Sequence, residues 1–237
     1  MKSTTKQLEE RGKITNKQIE EDTHTTKELY NLINSKKPIN RTIAIRKLTK
    51  TELNQPLFTD KILKQLTIEK KLYTKLEITN TLQQADETTI NKMIPLLTKI
   101  GNNQYKKPPL KPSKKKTYPL PRDIIARTLG KINPKYLPLL QNVLKQDNIE
   151  PISEILDSIG FLTYYNQEIA TKENAKLIHE TLTKYNENIL IQYKAITTLS
   201  AYNDQNTIKI LKKYTTNKKE ILKKEAERSL KHIKWRS

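Results

Sequence analysis

One pattern recurs along this chain of 237 residues and restricts its fold more than any other: six segments end on the same pair of apolar positions. They are TIAIRKL (42–48), KLEITNTL (75–82), RDIIARTL (122–129), ISEILDSI (152–159), YKAITTL (193–199) and KKEAERSL (223–230). Each closes on an apolar anchor, Leu48, Leu82, Leu129, Ile159, Leu199 or Leu230, with Ala44, Ile78, Ile125, Ile155, Ala195 or Ala226 four residues earlier. An i, i+4 pair of this kind is one stripe along a helix, and alanine within it marks where neighbouring helices approach closely. The anchors are spaced by 34, 47, 30, 40 and 31 residues.

Each of the first five segments is followed by a short polar turn and a second apolar stretch. These contain Ile62, Leu63 and Leu66; Ile94, Leu96 and Leu97; Leu137, Leu140 and Leu144; Leu177, Ile178 and Leu182; and Ile208, Ile210 and Leu211. Asn133-Pro134 and Asp204 are helix-start residues within the turns. The spacing therefore predicts a helix–turn–helix unit of about 30–40 residues. Strand signals are poor, with a single valine and no glycine-containing hairpin turn. Residues 1–24 are polar and read as a weak helix or a frayed arm. Thr25-Thr26-Lys27-Glu28 reads as a capping box for a helix ending near Ser35, and Pro38 suits the first turn of the next.

A lone unit of this kind cannot bury its apolar face, but stacking on its neighbours does so. Stacking also explains how an apolar fraction of 35% can suffice where globular chains usually carry about 45–50%. The 47-residue spacing has a visible cause in NNQYKKPPLKPSKKKTYPLP (102–121), with five prolines, six lysines and no acid. That composition predicts an extended, solvated insertion.

The segment RDIIARTLGKINPKYLPLLQNVLKQ (122–146) has Arg122 at its start, a small Ala126, a Leu129-Gly130 ending, an Asn-Pro turn and a leucine-rich second helix. In these features the chain resembles the HEAT-like repeat superfamily, and more loosely its short lyase-type repeats, over about residues 39–237. The resemblance implies an all-α fold: an armadillo-like, right-handed α-solenoid (α-α superhelix) of about five to six stacked helix–turn–helix repeats. The expected organisation is a polar N-terminal arm and capping helix over 1–37, then a repeat domain over 38–237 carrying the insertion at 102–121.

Several function classes lose their chemistry. Without cysteine there is no disulfide framework and no thiolate metal site. Gly12, Gly101, Gly130 and Gly160 lie far apart, whereas a phosphate-cradling loop needs clustered glycines. No apolar run approaches the length of a membrane helix, and MKSTTKQLEERGK lacks the apolar core of a signal peptide. His24, His179 and His232 form no ligand pair at helical spacing, and no Gly-x-Ser-x-Gly elbow occurs. We therefore expect no catalytic residue, cofactor or metal, no membrane contact, a cytoplasmic location and a monomer. Among acidic residues, Asp147, Glu150, Glu154 and Asp157 cluster, and 150, 154 and 157 share a helix face. Such a face is ordinarily solvated and complements a helix N-terminus; the other reading is a site for a cation or a basic partner.

The formal charge is +20, from 45 basic and 25 acidic residues. Lys, Asn, Ile, Thr and Tyr are abundant while Val and Arg are scarce, so the codon bias of an AT-rich genome accounts for part of the excess. It does not account for the distribution. The insertion holds +6 and residues 205–237 hold +8, whereas 147–190 is near neutral or acidic. Lys99, Lys145, Lys184, Lys212 and Lys213 fall near the ends of second helices, where cations offset the helix dipole by about 0.3–1 kcal/mol each. Stacked repeats would also align them into a row able to track a phosphate backbone. Lysine and tyrosine interleave, as in Tyr105-Lys106-Lys107 and Lys212-Lys213-Tyr214. That pattern suits either half-buried tyrosines or stacking platforms for single-stranded nucleic acid.

The leading expectation is a non-enzymatic scaffold that docks an anionic partner, nucleic acid or an acidic protein surface. Its contacts would be Lys106, Lys107, Lys111, Lys114, Lys115 and Lys116 on the insertion, together with the five helix-end lysines. The alternative is a protein–protein scaffold holding a peptide or protein in a concave face. A third reading is an enzyme resembling the DNA glycosylases of HEAT-like fold. The resemblance implies a catalytic Asp among tryptophans for that case, and the sole tryptophan, Trp235, is the third residue from the end of the sequence.

Overall fold

A computed structural model describes residues 3–236 and is all-α, with no strand among the described residues. The first helices of the repeating pairs are α4 (Pro38–Glu52), α6 (Leu72–Leu82), α8 (Ile124–Leu129), α10 (Ile149–Tyr165), α12 (Ile189–Leu199) and α14 (Glu220–Arg236). The second helices are α5 (Pro56–Ile68), α7 (Glu87–Met93), α9 (Leu137–Leu144), α11 (Lys172–Lys184) and α13 (Gln205–Tyr214). Three short helices precede them: α1 (Thr5–Glu9), α2 (Asn16–Glu20) and α3 (Thr26–Leu32). The chain divides into two compact units, Met1–Met93 and Ile94–Ser237.

In the first unit α4 packs on α6 and carries α2, α3 and α5 around it. The N-terminal residues are docked and not frayed. Thr4 with Gln7 and Thr15 with Gln18 form capping boxes that satisfy the first N–H groups of α1 and α2. Gly12 then takes φ +87°, and a Cβ there would overlap the Thr74 hydroxyl, so only glycine lets the chain pass this close to α6. Beside it the Tyr73 N–H donates to Arg11 O at 2.9 Å. The Thr25–Glu28 capping box forms, and Pro38 starts α4. Arg41 on α4 grips Glu69 through two bonds of 2.8 Å, a buried pair of the bidentate geometry that makes such bridges strong.

In the second unit α8, α10, α12 and α14 pack in succession, with α9, α11 and α13 against them. The repeated apolar positions form the core of both units. All six of the earlier positions are fully buried, as are five of the anchors at 0–1% exposure. Leu230 alone is half-buried, since α14 closes its row. One second helix differs from expectation: α7 ends at Met93, and Ile94–Leu96 is a single 3-10 turn. Pro95 lacks the N–H an α-helix would need there.

Hydroxyls tie the first helices together. Thr42 meets Thr74 at 2.9 Å and Thr49 meets Thr81 at 2.7 Å across α4 and α6. Ser158 Oγ donates to Ala126 O, Thr198 Oγ1 to Leu156 O and Ser229 Oγ to Ile196 O, at 2.9, 2.9 and 3.0 Å. These small side chains let backbones approach, and Ser158, Thr198 and Ser229 each satisfy a buried hydroxyl on a carbonyl of the preceding first helix. The lean apolar content is supplemented by these contacts.

Candidate nucleic-acid interface

Residues 102–121 form no helix or strand, as their prolines predict. Most of the segment is exposed, but it is also anchored. It lies as a strap across α10, α12 and α14, because its backbone and one aromatic ring have partners there. Tyr118 is buried at 3% exposure in the space over Gly160, edge-on to Phe161 at 6.2 Å between centroids. Ser113 O accepts from Arg228 Nε at 2.9 Å, and Lys116 O accepts from the Tyr164 hydroxyl at 3.1 Å. With these carbonyls turned inward, Lys106, Lys107, Lys111, Lys114, Lys115 and Lys116 are all exposed.

The strap brings together the two most basic stretches of the sequence. Lys111, Lys114 and Lys115 face Lys224, Arg228 and Lys231 of α14 across a cleft of about 420 Å³. Glu227 is the one acid in its lining, and Trp235 stands at its edge, 57% exposed. The Lys116 ammonium sits 5.7 Å from the centre of the Trp235 ring. Arg228 also pairs with the buried Glu225 at 2.8 Å, so its charge is partly spent on holding the strap. Lys224 pairs with Glu220 at 3.0 Å, which leaves Lys111, Lys114, Lys115 and Lys231 to meet an anion. Sequence reasoning singled out the strap lysines but not their convergence with α14 or the position of Trp235 beside them.

The helix-end lysines are distributed otherwise. Lys184 Nζ bonds Asp147 Oδ1 at 2.7 Å and reaches Gln146 O just beyond the end of α9, so it caps the neighbouring helix and is neutralised there. Lys145 bonds Asn142 Oδ1 at 3.0 Å. Lys99, Lys212 and Lys213 are exposed, the latter two in the last turn of α13. None of the five lines the strap–α14 cleft.

Beneath the strap, His232 is buried between the Tyr164 and Trp235 rings. Burial, reinforced by the nearby Arg228 and Arg236 cations, depresses its pKa to about 4. A depressed histidine leaves the native state with fewer protons than the unfolded chain between about pH 6.5 and 4. Stability is therefore expected to fall as pH drops through that window. Thermal melts of the His232→Gln variant should lack this component; equal pH dependence in both proteins would contradict it.

The acidic face on α10 is solvated only in part, since Glu150 is exposed but its two neighbours are not. Glu154 and Asp157 are largely withdrawn from water, with side-chain exposures of 2% and 16%, and share Lys194 of α12 at 2.7 and 2.9 Å. Burial raises the Glu154 pKa to about 7 against the pull of Lys194, and Asp157 adds to the rise. Asp123 is buried nearby and saturated, accepting from Thr98 N, Gln104 Nε2 and Ala126 N. Glu154 lines a separate cleft of about 800 Å³ walled by Ile149, Leu190 and Tyr105, with Lys106 and Glu150 at its rim. No group of three or more His, Asp or Glu side chains suited to holding a metal occurs among the described residues, and no described helix is long and apolar enough to cross a membrane.

No protein-family model and no curated protein matches the chain. Three crystal structures described as engineered proteins of the Northeast Structural Genomics Consortium are similar to it. The first is 16% identical with a TM-score of 0.39, covering 90% of this chain and 98% of that one. The second is 14% identical with a TM-score of 0.35, covering 90% and 100%. The third is 16% identical with a TM-score of 0.38, covering 95% and 62%.

Proposed function

We propose that the chain is a non-enzymatic scaffold of HEAT-like helical repeats, arranged as a right-handed solenoid, whose basic surface docks nucleic acid. The supporting observation is the cleft between the strap and α14, where lysines from two distant stretches of sequence flank an exposed tryptophan. Strap lysines held outward by an anchored backbone lose less freedom on binding than lysines on a loose arm. Trp235 offers a face on which an unpaired base can stack, worth about 1–3 kcal/mol. Together they favour a single strand over a duplex.

Two variants separate these contributions. Changing Lys111, Lys114 and Lys115 together to Gln is expected to lower affinity for a fluorescent oligonucleotide and flatten the log–log salt dependence by about 0.7 for each phosphate no longer neutralised. Trp235→Ala is expected to cost about tenfold for the single strand while leaving that slope unchanged. Anisotropy titrations from about 50 to 200 mM salt read both. Binding independent of salt, or no binding at the lowest salt, would overturn the reading.

A protein–protein scaffold is the second reading. It is favoured by Leu57, Ile68, Leu72 and Leu76 on α5 and α6, which are 43–62% exposed. A stoichiometric protein partner that survives nuclease treatment, and is lost when these residues become polar, would support it.

A further inference from the structure

The cleft over Glu154 contains an unanswered charge. Ser153 Oγ and Lys194 Nζ both bond Glu154 Oε1, at 3.4 and 2.7 Å. Oε2 is buried with no hydrogen-bond partner. A buried carboxylate oxygen without a donor costs about 1–3 kcal/mol or more, and folded proteins rarely leave one. The charged groups facing it are Asp157 on its own helix, Lys194 on α12 and Asp123 before α8. Arg127 of α8 lies within range of Asp123, which leaves two carboxylates, Glu154 and Asp157, around one lysine. In a chain of net charge +20 this is a local negative excess, and the other cation of the cleft, Lys106, stands exposed at its rim.

We propose that this cleft binds the end of a lysine or arginine side chain from a partner polypeptide, its N–H groups donating to Glu154 Oε2. The apolar walls formed by Ile149, Leu190 and the Tyr105 ring fit the alkyl stem of such a side chain. Glu150 at the rim adds a second acceptor for the charged end. Lys106 at the same rim is exposed and solvated, so it opposes an incoming cation only weakly, and charges more than about 8 Å away are largely screened at physiological salt. The site is independent of the basic cleft and calls for the opposite kind of partner.

The test uses N-acetyl-lysine amide and N-acetyl-arginine amide, titrated to about 10 mM and followed by NMR and calorimetry, with spermidine and tetramethylammonium alongside. The basic amides are expected to bind and tetramethylammonium, which has no N–H, is not. Glu154→Gln should weaken binding about tenfold or more, and Glu150→Gln about twofold to threefold. Glu154 carries its proton about half the time near neutrality. Affinity should therefore rise between about pH 6 and 8, and binding should release a proton, seen as an enthalpy that varies with buffer. These two readings use the unaltered chain and hold even if the Glu154 variant fails to fold. Binding unchanged in Glu154→Gln, affinity that falls as pH rises, or capture of spermidine without the amides would each overturn the proposal. Loss of oligonucleotide binding has no bearing on it, and the variant changed at Lys111, Lys114 and Lys115, which lie outside this cleft, should bind the amides as the parent does.

Discussion

Gly160→Ala is expected to destabilise the protein by about 3 kcal/mol, where the same change in an ordinary helix interior stabilises by up to about 1 kcal/mol. Gly160 lies within α10, and a Cβ there would overlap the Tyr118 hydroxyl and come within 3.1 Å of Thr198 Cα. The α10–α12 contact is too close to widen locally, since Thr198 already bonds Leu156 O at 2.9 Å. The ring must leave, and with it goes the burial of one large aromatic, itself worth about 2–3 kcal/mol. The double variant provides the control. With Tyr118→Ala already in place only the Thr198 contact remains, and the cost of Gly160→Ala should fall to about 1 kcal/mol or less. Denaturant melts of the four proteins measure this. A loss from Gly160→Ala that is undiminished in the Tyr118→Ala background would show that the ring does not occupy this space.

Lys194→Met is expected to cost about 3–5 kcal/mol near neutral pH, because it strands Glu154 and Asp157 without their cation. Burial works against the Lys194 ammonium, yet Asp157 and Glu154 together hold its pKa above the usual lysine value, so it is charged in the native protein. In the variant both carboxyls would have native pKa values well above their unfolded values near about 4. Carboxyls shifted upward contribute stability that is complete below those unfolded values and lost as pH rises through the native ones. The Lys194→Met protein should therefore melt closest to the parent near pH 4 and fall progressively behind it toward pH 8. Adding Glu154→Gln should recover part of the loss at neutral pH and flatten the dependence. A variant that matches the parent at every pH would mean that the ion triad is solvated.

Much of the helical scheme can be read directly from the chain because it rests on local regularities. The pairs from Ala44–Leu48 to Ala226–Leu230 mark their helices correctly since a 3.6-residue period and a core-facing stripe are local properties. Capping at Thr25 and the start at Pro38 follow from donor chemistry within one turn. The docking of the strap is not legible for the opposite reason. Six lysines and five prolines describe its average affinity for water, whereas its path is set by three contacts: the Tyr118 ring, the Ser113 carbonyl and the Lys116 carbonyl. Their partners lie on helices distant in sequence. A sign was available in Gly160, an expensive residue in the middle of ISEILDSIGFL unless something must approach it. The acidic face on α10 is similar. Its three positions share a side of the helix by spacing alone, but its burial depends on Lys194, forty residues away and set within the apolar run YKAITTL as a charge with no stated partner. The lysine convergence at α14 has no signal in spacing, because the strap determines it.

The bond from Arg228 to Ser113 spans 115 residues of sequence. In a plain stack of helix pairs each pair can settle on the one before it as the chain lengthens. Here the strap leaves the ribosome roughly 6–20 s ahead of the helix that fastens it, at ordinary synthesis rates of about 5–20 residues per second. During that interval Tyr118 and the two carbonyls have only α10 and then α12 to rest on, and the lysines around them are open to proteolysis. The last helix acts as a latch on the strap: until it arrives Ser113 O lacks its partner, while Tyr118 and Lys116 O already rest on α10.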